Sequence, residues 1–331
     1  MAGMIRMIVD CPNLLFRVAT AGDNKFGSQE DRSGLLLHSA FQTINKYYKA
    51  HRPDQLVFAF EGGGNWRKTY TSSPECVRKV AYKGNRVRDS SMDYIFALMQ
   101  SFKDVMHEHT SIPCIATPGM ESDDTIAGYV QMFTGMGDTI IILSGDKDFI
   151  QLLKHPDVVL INPDDGKPRG IDKKTGEQID PLYFMFEKCI RGDKKDNVMS
   201  AYPRVRATKI KAAFENDVDR IQLMEETWSE VRLVDGEAQE VTYKVKDLYE
   251  ENKMLLDLEC QPEDVKIAMY TDIERTLQNP GKYNNFHFLK FLGKHDLKNI
   301  AEKIEQYIPM LSVNQTKGKN VSNDSNSILE I

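Results

Sequence analysis

Short runs of β-branched and other apolar residues recur through the first half of the chain, at residues 4–9, 56–60, 112–116, 139–143 and 158–161. A run with no polar face predicts a strand buried on both sides, as in a parallel sheet. Between these runs, residues 33–49, 92–109 and 124–133 carry apolar positions at helical spacing and are long enough to cross back over a sheet. The alternation predicts an α/β fold: a mostly parallel twisted sheet flanked by helices. Ligands of such sheets gather beyond the carboxyl ends of the strands. Asp10, Glu61 and Asp146 each stand at or just past that end of a predicted strand.

After Gly192 the texture changes. Residues 204–214, 241–256, 263–277 and 296–307 read as helices, with little strand signal, and Pro262-Glu263-Asp264 is a good helix start. The pattern predicts a first domain at 1–191 and a smaller helical domain at 192–311. Residues 312–331 are polar and rich in Asn, Ser, Lys and Gly, so a disordered tail is expected, closing on the apolar Ile328, Leu329 and Ile331.

The 331 residues suffice for two such domains. With 43 basic against 49 acidic side chains the net charge is -6, which argues against a nucleic-acid partner until the charges are mapped. Between Gly62 and Arg88 seven basic residues (Arg67, Lys68, Arg78, Lys79, Lys83, Arg86, Arg88) face one acid, Glu75, whereas residues 225–264 are strongly acidic. The overall charge conceals a basic patch. Five cysteines without a C-x-x-C spacing argue against a disulfide framework or a zinc site and for a reducing compartment. No apolar run reaches the ~18 residues of a membrane span, and the N-terminus lacks a signal-peptide pattern, so a soluble intracellular protein is expected.

The acids carry the chemistry. Residues 140–149, Ile-Ile-Ile-Leu-Ser-Gly-Asp-Lys-Asp-Phe, run a buried strand into a turn bearing Asp146 and Asp148. A helix cap at Asp146 explains that motif equally well. Glu121-Ser122-Asp123-Asp124 opens a helix, where the macrodipole favours negative charge, but capping needs one acid rather than three. Gly192-Asp193-Lys194-Lys195-Asp196-Asn197 taken alone is a solvated charged turn. Two carboxylates ~4 Å apart repel by roughly 4 kcal/mol at an effective dielectric near 20. If these acids converge, divalent cations neutralise them best.

As a set, these motifs resemble the flap endonuclease, or 5′ nuclease, family in its phage branch, of the ribonuclease H type, over residues 4 to about 308. The resemblance implies a PIN-like nuclease domain followed by a helical domain containing a helix-three-turn-helix. It implies a magnesium-dependent 5′-to-3′ exonuclease and flap endonuclease that removes RNA primers and adjacent DNA from lagging-strand fragments. Asp10, Asp123, Asp146 and the second-strand acid, here Glu61 where the family usually has aspartate, would surround one Mg2+. Asp148, Asp193 and Asp196 would belong to a second ion, with Glu121 and Asp124 in support, and Mn2+ able to substitute. Residues 62–91 correspond to the family's arch. There Lys83 and Arg86 would act on the scissile phosphate and Tyr82 would stack on a base, while Trp66, Arg67, Lys68, Arg78, Lys79 and Arg88 would contact the strand. Arg204, Arg206, Lys209 and Lys211 would grip duplex phosphates. Met199-Ser200-Ala201-Tyr202 replaces the glycines that bind potassium in many relatives, so no potassium site is expected.

The implied partners are 5′-flap, nicked or forked DNA and RNA–DNA duplex, met by a monomer in the cytoplasm of an infected bacterial host. Residues 327–331 suggest docking on a sliding clamp or a single-stranded-DNA-binding protein, against the plainer reading of an inert end. Two rival functions remain at this point: a catalytically weak flap- or junction-binding module, and a PIN-type ribonuclease.

Overall fold

The five apolar runs form one parallel sheet. The computed structural model describes residues 3–22, 29–87, 93–172, 175–234 and 237–315. In chain order the first part runs β1 (Ile5–Asp10), α1 (Cys11–Gly22), α2 (Gln29–His51), β2 (Gln55–Ala59), α3 (Trp66–Thr71), α4 (Asp93–His109), β3 (Cys114–Ile115), α5 (Ser122–Phe133), β4 (Thr139–Leu143), a 3-10 turn (Asp148–Lys154), β5 (Val158–Ile161) and α6 (Pro181–Arg191). The second part runs α7 (Ala207–Glu215), α8 (Asp217–Glu225), β6 (Thr227–Val234), β7 (Glu237–Lys244), α9 (Val245–Leu256), α10 (Glu263–Gln278), α11 (Asn285–Lys294) and the short helices α12 (Lys298–Ala301) and α13 (Ile308–Leu311).

The strand order is β3-β2-β1-β4-β5, every pairing parallel. Because side chains alternate along a strand, each strand feeds two cores. Met7, Val9, Leu56, Phe58, Ile141 and Leu143 face α1, α2 and α4. Ile8, Val57, Ala59, Ile140 and Ile142 face α5 and the 3-10 turn. Full burial of each of these Val, Leu, Ile, Phe and Met side chains contributes roughly 1.5–3 kcal/mol. The strand order reverses direction at β1, between β2 on one side and β4 on the other. That crevice is the switch point where an open α/β sheet binds ligands.

Several expectations are corrected. The stretch 241–256 is not one helix: its first residues belong to β7, which pairs antiparallel with β6 over eight residues. The strand run at 227–234 lacks clean alternation, but Asp235-Gly236 between the two strands is a strong hairpin dipeptide. Helices α1 and α6 were not anticipated, and 296–307 is broken into α12 and a 3-10 turn. The division at 192 also differs. Met269 and Ile273 of α10 join the sheet's second core, and Phe288, Leu292, Ile300 and Met310 join its first. Helices α6 to α9, with Trp228 of the hairpin, build a separate core around Phe186, Ile210, Leu223 and Val245. Residues 312–315 are ordered as well: the buried Asn314 side chain donates to Leu56 O at 2.8 Å and Ser111 O at 3.0 Å. The apolar end at 328–331 lies outside the described residues.

Candidate metal centre and the bridge beside it

Asp10 ends the central strand and is only 2% exposed. Its carboxylate accepts from Ser144 Oγ at 2.7 Å and from the Asn13 amide at 3.2 Å. Burial, with Asp146 adding to it, pushes Asp10 up to about 6. Past β4, Asp146 accepts from the Asp148 amide at 2.9 Å, a local turn contact, while the N-cap of the 3-10 turn is Lys147 rather than Asp146. Beyond β2, Ser122 Oγ donates to Glu61 at 3.4 Å. Gly62 is required beside it, because a Cβ there would lie 1.7 Å from the Thr117 carbonyl oxygen.

Glu121 and Asp124 form a capping box at the start of α5. Asp123, between them, is raised well above the usual carboxylate range by burial and then by the charges of Asp10, Asp146, Glu121 and Glu61. Asp123 at the head of α5 thus stands within electrostatic reach of the acids beyond β1, β2 and β4, whereas among the described residues only Asp148, Asp193 and Asp196 bring three ligand oxygens within 4.8 Å of one another. Asp124 turns away from them. It is fully buried, and its oxygens accept from Arg67 Nη1 and Nη2 at 2.7 and 2.8 Å, from Trp66 Nε1 at 3.3 Å and from Gln261 at 3.2 Å. Burial alone would raise Asp124, but the charge and twin hydrogen bonds of Arg67 outweigh it and lower the pKa.

A second group stands next to the first. Ligand oxygens of Asp148, Asp193 and Asp196 all lie within 4.8 Å of one another. The loop carrying Asp193 and Asp196 is closed by reciprocal backbone bonds between Asp193 and Val198, both 2.8 Å. It leaves α6 through Gly192, whose φ is +71° and whose absent Cβ would sit 2.4 Å from Val198 O. Lys188, on the last turn of α6, places Nζ 2.7 Å from Asp148 and 3.2 Å from Asp193. Burial would lower the Lys188 pKa, yet the two carboxylates raise it, so the ammonium stays charged.

The basic segment after α3 lies across these acids. Tyr82 OH donates to Glu121 Oε2 and Asp196 Oδ2, each at 3.0 Å. Lys83 Nζ is ion-paired with Glu121, and its amide donates to Asp196 O at 2.8 Å. Arg86 pairs with Asp196 at 2.7 Å. Asn197 and Asn85 complete the seam by donating to Ala81 O and Lys194 O. Beside the seam opens a cleft of about 740 Å3, lined by Phe60, Glu61, Lys68, Lys83, Arg86 and Phe96.

Three of the residues expected on the nucleic-acid side are buried instead. Arg67 is spent on Asp124, and its Nε donates to Leu255 O at 2.8 Å. Arg78 is packed against the β6–β7 hairpin. Tyr82 is 4% exposed, with its ring in a small core beside Val198, Leu255 and Leu256. Trp66 is half-buried against Arg67, while Lys68 and Lys79 are exposed. Arg204, Arg206, Lys209 and Lys211 are also exposed, around the loop and helix that follow α6, although Lys209 pairs with Glu226. Arg88 lies outside the described residues. Lys188 was missed; its place five residues before Asp193, in the basic last turn of a helix opened by Asp180-Pro181, was the available signal.

Residues 6–183 match the family described as 5′-3′ exonuclease, N-terminal resolvase-like domain. The chain belongs to the 5′-3′ exonuclease family. Within that family, the ribonuclease H of enterobacteria phage T4 is 30% identical over 209 residues, covering 61% of this chain and 63% of that protein. A 5′-3′ exonuclease of Aquifex aeolicus is 26% identical over 224 residues, 66% of this chain and 72% of that one. A DNA polymerase I of Caldicellulosiruptor bescii is 26% identical over 81% of this chain, which spans only 30% of the polymerase's length. The D15 protein of bacteriophage T5, crystallised with metal ions, shares the fold, with a TM-score of 0.57 at 20% identity over 82% of this chain and 98% of that one.

The donor set suits a hard divalent cation. It is all carboxylate oxygen, with neither His nor Cys among the converging residues. Asp148, Asp193 and Asp196 supply three oxygens at close range. Here the negative charge is offset by Lys188, Lys83 and Arg86.

Proposed function

We propose that this chain is a magnesium-dependent 5′-to-3′ exonuclease and flap endonuclease that hydrolyses phosphodiesters with two metal ions and removes RNA primers with adjacent DNA. What supports this reading is the close group of Asp148, Asp193 and Asp196, with Asp123 under the charges of Asp10, Asp146, Glu121 and Glu61 beside it, and Lys83 and Arg86 paired with Glu121 and Asp196. Asp10, Asp123, Asp146 and Glu61 would hold one ion, and Asp148, Asp193 and Asp196 the other. When bound, the ions would lower the pKa of the attacking water and offset charge on the leaving oxygen.

The chain's own residues do the rest. Lys83 and Arg86 exchange their carboxylate partners for the scissile phosphate, Lys83 as a point charge and Arg86 as a planar fork. Tyr82, anchored on Glu121 and Asp196, sets the height at which these two cations stand. The Phe60 and Phe96 side of the cleft excludes water beside the reacting phosphate, and Lys68 draws in the strand. Arg204, Arg206, Lys209 and Lys211 contact duplex phosphates, which position the substrate without reading its sequence. The phage T4 relative supports placing this work in an infected bacterial cell, on 5′-flap, nicked or forked DNA and RNA–DNA duplex.

The test is cleavage of a 5′-flap duplex with Mg2+ and with chelator. Asp123→Asn is expected to lower cleavage by roughly 10³-fold, the worth of several kcal/mol, while binding in chelator is kept. Full cleavage by that variant rejects the assignment. A junction-binding module without cleavage is the second reading, favoured by Lys188 bridging Asp148 and Asp193. It predicts no Mn2+ binding in calorimetry, where the nuclease reading predicts a saturable binding heat of either sign with release of protons.

A further inference from the structure

The segment between α3 and Tyr82 has no regular secondary structure, yet it must deliver Lys83 and Arg86 to a fixed place. Such a stretch wanders unless something outside it holds it. Lys79 and Lys83 adopt φ of +50° and +55°, a region non-glycine residues leave unless contacts hold them there. The Val77–Arg78 end is held by the β6–β7 hairpin and α9, while Ala81 and Lys83 are held at the other end by Asn197 and Asp196. The Arg78 guanidinium lies over both the Trp228 and Tyr243 rings, 4.9 and 5.1 Å from their centroids, the two rings being themselves in contact at 5.2 Å. It pairs with Glu230 at 3.3 Å and donates to Ser200 O at 3.4 Å. In return, Arg232 Nη1 donates to the Arg78 carbonyl at 2.6 Å and to Tyr243 OH at 3.0 Å. From α9, Glu251 accepts the Val77 amide at 2.6 Å and the Arg78 amide at 3.2 Å. Trp228 Nε1 donates to Ala201 O at 2.8 Å, tying the hairpin to the loop that follows Asp196.

We propose that the β6–β7 hairpin is the strut of the bridge, and that Arg78 is a positioning residue for Lys83 and Arg86 rather than a phosphate contact. The role in cleavage rests on the function proposed above. The bracing of the segment does not. Arg78 is 7% exposed and its charge is already matched by Glu230 and two aromatic faces, so no phosphate reaches it without dismantling the strut. Lys83 is five residues on, with Tyr82 packed between. Loosening the Arg78 end therefore blurs the position of the Lys83 ammonium by the order of an ångström, and misplacement on that scale costs roughly 10²-fold in rate.

The experiment compares Arg78→Met, Arg78→Lys and Glu230→Gln in the full chain. Three readouts are taken: single-turnover cleavage of a 5′-flap duplex at saturating DNA with Mg2+, the salt dependence of binding to that duplex in chelator, and trypsin cleavage after Lys79 and Lys83 in the metal-free, DNA-free protein. A strut predicts single-turnover cleavage lower by roughly 10²-fold in Arg78→Met. It also predicts an unchanged salt slope and faster cutting at Lys79 and Lys83. Arg78→Lys regains part of both losses, and Glu230→Gln moves in the same direction to a smaller degree. A phosphate contact predicts the opposite: a salt slope reduced by about 1, weaker binding and an unaltered trypsin pattern, which would overturn the proposal. If Arg78→Met does not fold, Arg78→Lys and Glu230→Gln decide, and a wild-type trypsin pattern in both overturns it. If the wild type itself fails to cleave, the proposed function falls, while the trypsin pattern still settles the strut.

Discussion

Arg67 was expected at the surface and is instead 1% exposed, with both terminal guanidinium nitrogens on the fully buried Asp124. The pair joins three places at once: Arg67 belongs to α3, Asp124 to α5 next to Asp123, and Leu255 O and Gln261 to the C-terminal half. A buried ion pair adds little net stability, but removing one partner strands the other charge. Arg67→Met is therefore expected to cost about 3–5 kcal/mol in urea denaturation, and Arg67→Met with Asp124→Leu to recover much of that. A single variant within about 0.5 kcal/mol of wild type, the range of ordinary surface substitutions, would show that Arg67 is not bound as described.

At the scale of elements, the loop between α6 and α7 sets where Asp193 and Asp196 stand, and Gly192 sets how that loop leaves α6. At φ +71° and ψ −173° the backbone lies in a region essentially reserved for glycine, and a side chain there costs on the order of 1–3 kcal/mol. Here it would also strike Val198 O and Met199, so the loop must shift. Gly192→Ala should keep the fold and weaken Mn2+ binding by roughly 10–100-fold, the usual effect of disturbing what supports a ligand. Calorimetry that returns wild-type affinity would remove Gly192 from the site. This loop also marks how far the sequence was legible. The parallel strands could be read because an apolar run without a polar face has few other fates, and the acids because they fall at strand ends and in tight turns. Lys188 with Asp148, Arg67 with Asp124 and Arg78 with Trp228 could not be read, because each pair meets only through tertiary packing. A basic residue near a basic patch looks the same in sequence whether it serves a phosphate or a neighbouring carboxylate. The hairpin was hidden by irregular alternation, and α10 to α13 were assigned to the wrong core because helical periodicity names an apolar face without naming what covers it.

For the whole molecule, the acid cluster links stability, pH and metal. Asp10 holds its proton up to about 6 in the folded chain, against an ordinary value of 3.8. Asp123 is raised in the same direction. Below about pH 4 both folded and unfolded chains carry the Asp10 proton, and the stabilising contribution of the protonated acid is fully present. Between there and about pH 6 the unfolded chain gives up its proton while the folded chain retains it, so stability falls as pH rises, by roughly 3 kcal/mol from Asp10 alone. On the proposed function a divalent ion would bind the deprotonated acids and reverse the loss. The gain in Tm on adding millimolar Mg2+ to chelated protein should thus be small at pH 5 and grow to pH 7.5, approaching the ~2.7 kcal/mol that ligand at 100 times its Kd confers. Asp10→Asn should make the metal-free chain more stable at pH 7.5, flatten its dependence on pH, and forfeit most of the gain from Mg2+. A Mg2+ effect that is the same at pH 5 and pH 7.5 in the wild type would mean that the buried acids are not where the ion binds.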